Sequence, residues 1–159
     1  MRRMAEKKKV YVETSVISNL TARPSHDIFD LARQMATRQW WDVAAESYGL
    51  YVSPLVEREA QRGDADAASR RMDVLRGLNV LPIPKEAESL AGKLLDAAAL
   101  PRTSYEDAVH VATAAVNGMD YLVTWNCRHI ANAVTMPKIY DACQAAGYRC
   151  PVICTPEQL

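Results

Sequence analysis

The sequence predicts an α/β fold: a three-layer α/β/α sandwich around a mostly parallel sheet of four to five strands. Two observations carry this prediction. Short, continuous apolar runs recur along the chain, as expected of strands buried on both faces. Longer segments with helical periodicity lie between them, and strands that alternate with helices build a parallel sheet covered on both sides. Size agrees, because 159 residues with 49% hydrophobic content suit one domain of the usual roughly 100 to 200 residues with a substantial core. No internal repeat or long linker divides the chain, so residues 10–159 read as a single domain preceded by a basic tail over residues 1–9.

Val10-Tyr11-Val12, closing at Glu13, is the first strand. After Pro24-Ser25 a long amphipathic helix is expected, with Ile28, Ala32, Met35, Gln39 and Val43 drifting along one side and Phe29, Ala36 and Trp40 beside them. Asp27 and Asp30 suit its positive end. Adjacent residues on a helix lie about 100° apart, so of the Trp40-Trp41 pair one can enter the core while its neighbour stays near the surface. Leu50-Tyr51-Val52 is the second strand, and Ser53-Pro54 supplies an N-cap and a first-turn proline for the next helix. A polar helix over about Asp64 to Arg76 follows, then a strand over Val80-Leu81-Pro82-Ile83 and a helix through Ala87, Leu90, Ala91, Leu94 and Leu95. Ser104 starts an Ala- and Val-rich helix, Tyr121 to Thr124 is a fourth strand, and Val152-Ile153 is a short edge strand.

Nineteen basic residues balance nineteen acidic ones, which excludes a protein that holds nucleic acid by bulk charge alone. The balance is uneven along the chain. Residues 1–10 carry five basic side chains against Glu6, a net +4, and the remainder carries 14 basic against 18 acidic residues, a net −4. The basic start supplies phosphate contacts or is a mobile tail. No apolar run approaches the roughly 20 residues of a membrane span, and no signal-peptide core follows the basic start, so a cytoplasmic protein is expected. Cys127, Cys143, Cys150 and Cys154 form no CxxC pair and read as free thiols, with a Cys150–Cys154 pairing as the alternative.

Ligands of parallel sheets gather beyond the carboxyl ends of the strands, which directs attention to polar residues after each apolar run and on inward helix faces. Glu13 closes the first strand ahead of Thr14 and Ser15; the alternative is a solvated acid near a helix start, capped by Thr14 or Ser15. Glu59 lies four residues after Leu55 and shares its face, beside Val56 and Ala60, whereas Glu57 is about 200° away on the wheel. An acid on that face needs a partner, either a ligand or an arginine such as Arg58 or Arg62. Asp107, in Ser104-Tyr105-Glu106-Asp107, occupies the acidic position of a sequence like a capping box, yet it also shares a face with His110 and Val111. His110 is a second polar group for the same site or a satisfied core histidine. Asn126 follows the fourth strand and is either a site amide or an ordinary capping residue.

Carboxylates at one strand end and on two inward helix faces, with an amide after another strand, can converge at the carboxyl edge of the sheet. Such a cluster makes an oxygen site for Mg²⁺ or Mn²⁺, which keep several waters and take up substrate phosphate. The cation would offset the repulsion of the acids, activate a water and stabilise charge on a phosphodiester, as in metal-dependent nucleases.

Four segments, in order, carry a family resemblance: Val10-Tyr11-Val12-Glu13-Thr14-Ser15-Val16-Ile17; Ser53 with Glu59; Glu106-Asp107-Ala108-Val109-His110-Val111-Ala112-Thr113-Ala114; and Leu122-Val123-Thr124-Trp125-Asn126. From about Val10 to Thr155 the chain resembles a PIN domain, in particular the VapC-like toxins of type II toxin-antitoxin systems. The resemblance implies an endoribonuclease whose acids, matching Glu13, Glu59 and Asp107, bind Mg²⁺ or Mn²⁺. It also implies a homodimer and a cognate antitoxin that buries a segment in the active-site groove. In that setting Ser15 holds Glu13 or a metal-bound water, and Thr124 does the same beside Asn126. Two positions depart from the family pattern. Its first acid is usually Asp, one methylene shorter than Glu13, and its fourth acid is replaced by Asn126, although a branch of the family carries a similar Thr-Trp-Asn segment followed by His-Ile-Ala-Asn. An amide oxygen can ligate a metal but brings no charge.

The resulting reading is a metal-dependent RNA phosphodiesterase in which Glu13, Glu59 and Asp107 ligate directly or through water, Asn126 assists, and no histidine base is required. The competing readings are a metal-poor scaffold that binds RNA or a protein without cutting, a phosphoaspartyl receiver or phosphatase, which the glutamate at position 13 disfavours, and an interaction module whose contact with a second copy or an antitoxin centres on Trp40-Trp41.

Overall fold

Strand β1, Lys8–Val12, is the centre from which the sheet grows in both directions. The computed structural model describes residues 5–159. After β1 come helices α1 (Thr14–Thr21) and α2 (Ile28–Ser47), strand β2 (Tyr48–Val52), helices α3 (Pro54–Ala60) and α4 (Ala65–Leu75), and strand β3 (Asn79–Val80). Helices α5 (Lys85–Asp96) and α6 (Tyr105–Val116) then lead to β4 (Tyr121–Val123), α7 (Thr135–Ala145), β5 (Val152–Cys154) and a final 3₁₀ turn, Pro156–Gln158.

The strands lie in the order β3-β2-β1-β4-β5 and every pairing is parallel. Each parallel step needs a crossover, and right-handed crossovers place α1 to α4 on one face and α5 to α7 on the other. The contacts follow this division: α1 packs on α2, α3 and α4, while α5 packs on α6 and α7. Val10, Tyr11 and Val12 are fully buried, which is why the central strand reads as an unbroken apolar run; burying each such side chain stabilises the fold by about 1.5–3 kcal/mol. Chain progression reverses between β1 and β4, creating the topological switch point at which ligands of open α/β sheets bind. Glu13 donates its backbone N–H to Val123 O there, at 3.0 Å.

The third strand is shorter than Val80–Ile83 and one residue earlier. Leu81 N–H still bonds to Val52 O at 2.7 Å, but Pro82 and Pro84 have no N–H with which to extend the ladder. The basic start also differs from a tail over 1–9, because Lys8 and Lys9 are the first residues of β1; residues 1–4 lie outside those described. Lys9 N–H donates to Asp120 at 2.8 Å and the Lys8 amine lies 3.5 Å from the same carboxylate. Both lysines therefore sit at the amino end of the sheet, away from the switch point, and neither is placed to contact a phosphate there. Helix α7 has no counterpart in the sequence reading; Ile139 and Cys143, one turn apart, are its buried side chains.

Helix α2 is capped as its sequence suggests, with the Asp27 carboxylate accepting from Phe29 and Asp30 N–H, but it turns the other way. Its buried residues are Gln34, Thr37, Trp40 and Ala44, whereas Ile28, Phe29, Met35 and Val43 are 75%, 76%, 53% and 56% exposed. Polar anchors set this rotation: Thr37 Oγ1 accepts the buried Trp125 indole N–H at 2.8 Å, and Gln34 Oε1 accepts Ser25 N–H at 3.1 Å. Trp40 is buried and Trp41 half-buried, packed edge to face at 6.0 Å. All four cysteines are free thiols. Among the described residues no helix is long and apolar enough to cross a membrane.

Candidate active site at the carboxyl edge of the sheet

Glu13 follows β1 immediately and turns the chain into α1. Its own carboxylate, in place of Thr14 or Ser15, is the helix cap: Oε2 accepts Ser15 N–H at 3.0 Å, the Ser15 hydroxyl, and Thr124 Oγ1–H at 2.8 Å. Ser15 Oγ in turn accepts Trp125 N–H at 2.8 Å, and Thr124 Oγ1 accepts Asn126 N–H at 2.9 Å. The segments after β1 and β4 are thus stitched together around one carboxylate oxygen. Oε1 of the same group accepts no hydrogen bond among the described residues and faces the His110 imidazole, 3.8 Å from Nε2.

Glu59 arrives from α3. It pairs with neither Arg58 nor Arg62; Arg62 instead holds Glu106 through two bonds of 3.0 and 2.8 Å. The Glu59 Oε1 atom accepts Thr14 Oγ1–H at 2.6 Å and lies 2.6 Å from His110 Nε2. Burial works to raise the Glu59 pKa, but the bond to His110, the charge of that imidazole and the Thr14 bond outweigh it and hold the carboxyl below its ordinary value.

His110 is fully buried beneath the acids. Its Nδ1 lies 2.7 Å from Tyr11 Oη, which lies 2.8 Å from Ser53 Oγ, the cap of α3. Burial alone would push the imidazole pKa down. The bond to Glu59 and the charges of Glu13, Glu59 and Asp107 overcome this and hold it above its ordinary value. The Tyr11 phenol is pushed well up, by burial first and then by Glu13 and Glu59, against the lowering effect of Ser53.

Asp107 sits one turn before His110 on α6 but engages other partners. Its Oδ1 accepts the Asn126 side-chain N–H at 3.1 Å, and Oδ2 lies 2.9 Å from His129 Nδ1. A capping box is absent, because Ser104 makes no side-chain cap bond and its hydroxyl stands 3.2 Å from His129 Nδ1. Asn126 Oδ1 is occupied by His129 N–H at 3.0 Å. His129 received no role from the sequence; the available signal was a histidine three residues after Asn126, placed so that the asparagine could cap its backbone.

The arrangement has two halves. Glu13, Glu59 and His110 offer donor atoms all within 4.8 Å of one another, a grouping able to hold a metal ion, while Asp107, Asn126, His129 and Ser104 form an adjoining polar wall. A divalent ion fits the donor chemistry, because Glu13 directs an otherwise unbonded oxygen into a partly buried group of two carboxylates and an imidazole. Nearby, a groove of about 320 Å³ is lined by exposed Phe29 and Ala32 and half-buried Arg33 of α2 together with Trp125, Cys127, Thr155 and Glu157. The Arg33 guanidinium lies 5.7 Å from the Trp125 ring centroid, within the range of a cation–π contact.

Comparison with solved structures gives the same fold. VapBC2 from Rickettsia felis, bound to a DNA fragment of its promoter, superposes with a TM-score of 0.61 at 13% identity, covering 92% of this chain and 97% of that one. VapC20 from Mycobacterium tuberculosis, a toxin that cleaves the sarcin-ricin loop, gives 0.56 at 18% identity over 76% of this chain and 92% of the other. A toxin-antitoxin complex from Klebsiella pneumoniae gives 0.58 at 17% identity, over 80% and 94%. No curated protein matches the sequence significantly. The PIN domain family model matches residues 10–132, which takes in Glu13, Glu59, Asp107, His110, Asn126 and His129. With that match over most of its length, and with the fold and the acidic switch point described above, the chain belongs to the PIN domain family.

Proposed function

We propose that this protein is a metal-dependent endoribonuclease that hydrolyses RNA phosphodiester bonds and serves as the toxin of a toxin-antitoxin pair. The observation that carries this reading is that Glu13, just after β1, and Glu59 of α3 come together with His110 of α6 at the switch point, with Asp107 one turn before that histidine, in a chain of the PIN domain family. Glu13, Glu59 and Asp107 would hold Mg²⁺ or Mn²⁺ directly or through water. When bound, the ion supplies a Lewis acid for the phosphate and an acidified water as nucleophile. Glu13 is oriented by Ser15 and Thr124, Glu59 by Thr14, and Asp107 by Asn126 and His129; these hydrogen bonds keep three like charges in fixed positions before substrate arrives.

The exposed apolar stripe of α2 supports a protein partner. Ile28, Phe29, Met35 and Val43 form a face left exposed among the described residues, of the kind that marks interaction sites, and Phe29 borders the groove lined also by Trp125 and Cys127, which flank Asn126 in the chain. Two of the similar solved structures are toxin-antitoxin assemblies, which favours an antitoxin segment as its occupant; the homodimer would then use another surface.

The test is direct. Protein freed of any partner is incubated with labelled RNA in Mn²⁺, Mg²⁺ or EDTA, beside Asp107→Asn and Glu59→Gln. Metal-dependent cleavage lost in both variants supports the proposal. Cleavage that survives EDTA and both substitutions overturns the mechanism, and intact RNA binding without cleavage under either metal favours the non-cutting scaffold.

A further inference from the structure

Resting on the nuclease reading, we propose that His110 is itself a metal ligand through Nε2. The ion is then held by a mixed set, Glu13 and Glu59 through oxygen and His110 through nitrogen, with Asp107 acting through water, and the site prefers a first-row transition ion such as Mn²⁺ to Mg²⁺.

Four observations lead here. His110 Nε2 lies 2.6 Å from Glu59 Oε1 and 3.8 Å from Glu13 Oε1. Neighbouring donors on a small divalent ion, with bonds of about 2.1 Å, stand about 3 Å apart, so these separations bracket what is needed and only small side-chain adjustments are required. Next, Glu13 is half committed: Oε2 accepts from Ser15 and Thr124, and the oxygen left over is the one that faces the imidazole. Asp107, by contrast, has both oxygens engaged, by Asn126 and by His129, which suits contact through water better than direct ligation.

The fourth observation concerns the far side of the ring. Metal-bound histidines hold their second nitrogen in a hydrogen bond that sets ring orientation and tautomer. His110 Nδ1 has such a partner in Tyr11 Oη, backed by Ser53 Oγ, and all three groups are buried. Both hydroxyls can donate and accept, so the chain runs in either direction. With a proton on Nε2, Tyr11 donates to Nδ1; with the Nε2 lone pair committed to a metal, Nδ1–H donates to Tyr11 and Tyr11 to Ser53. Exchanging proton for metal leaves none of these buried groups unpaired, which removes the usual penalty. A carboxylate-only set suits Mg²⁺, whereas an imidazole in the set favours transition ions.

Metal-free protein is loaded with Mn²⁺ and studied by pulsed EPR for coupling to a directly bound ¹⁴N nucleus, with and without ¹⁵N-histidine labelling, and Mn²⁺ and Mg²⁺ affinities are measured by calorimetry. The expected result is nitrogen coupling that changes isotope on histidine labelling, persists in His129→Gln and disappears in His110→Gln. Mn²⁺ binding at least about 10-fold tighter than Mg²⁺, and weakened about 10- to 100-fold by His110→Gln, should accompany it. Mn²⁺ bound to the wild type without histidine nitrogen coupling, or with coupling lost only in His129→Gln, overturns the assignment and leaves the nuclease reading standing. Folded wild-type protein that binds neither ion overturns both. The labelled wild type decides the matter even if His110→Gln fails to fold.

Discussion

Asn126 donates its side-chain amide to Asp107 at 3.1 Å, joining the segment after β4 to helix α6 across the carboxyl edge of the sheet. The same amide accepts His129 N–H through its oxygen, and His129 returns to Asp107 through Nδ1. An asparagine can close this ring where an ionised aspartate cannot, because the amide donates to one partner while accepting from another and a carboxylate only accepts.

Asn126→Ala opens the ring. It should reduce RNA cleavage at saturating Mn²⁺ about 10-fold or more, the usual scale for residues that orient metal-site groups, and cost about 1–2 kcal/mol of stability for two lost bonds. Single-turnover cleavage and denaturant unfolding measure the two effects separately; unchanged cleavage would remove Asn126 from the site.

Tyr11→Phe deletes one oxygen from the middle of the Ser53–Tyr11–His110 chain. It leaves a buried imidazole nitrogen and a buried hydroxyl short of a partner, at a cost of about 1–3 kcal/mol. The urea midpoint should fall with the slope unchanged, although the phenyl ring fills the same space. A neutral result would mean that water replaces the phenol.

Asp120, at the opposite end of the sheet, is held below its ordinary pKa, first by Lys9 N–H and then by Arg149 and Lys8, against the opposing effect of burial. A carboxyl with a depressed folded-state pKa contributes stability above its unfolded value near 3.8, and that contribution is lost as pH falls through the depressed folded value. Asp120→Asn should therefore unfold at a lower temperature than the wild type at pH 7, and the gap should close as the pH drops below about 3.8. A gap independent of pH would show that the carboxylate charge contributes nothing.

Phe29→Glu changes a side chain that is 76% exposed, so the thermal midpoint should hold within an equivalent of about 0.5 kcal/mol. Binding of an antitoxin should weaken by at least about 10-fold, the effect of placing a charge in a buried apolar contact. Calorimetric titration checks the second statement, and unchanged affinity would move the partner to another face.

Much of the fold was legible because parallel strands buried on both faces must be apolar along their length. Val10 to Val12 and Tyr121 to Val123 announce themselves in this way, and the polar residues just beyond them fall at the switch point by topology. The β3 boundary was not legible from hydrophobicity, since Ile83 is as apolar as Val80; the proline N–H that is missing at position 82 ends the ladder. The periodicity of α2 revealed a real apolar stripe and said nothing of what covers it. Side chains elsewhere in the chain, Trp125 and the segment at Ser25, choose the buried face by bonding to Thr37 and Gln34.

The candidate site divides in the same way. Sequence alone placed Glu13 and Asn126 just after strand-like apolar runs and Glu59 and Asp107 on the apolar faces of helices, because apolar runs and helix periodicity are local properties of the chain. Only the tertiary structure decided that His110 lies between the first two acids, that Arg62 goes to Glu106 instead of Glu59, and that Asp107 belongs with Asn126 and His129. Hydrogen-bond partners are selected by differences of less than an ångström between atoms on separate elements, and no spacing along the chain encodes a distance across it.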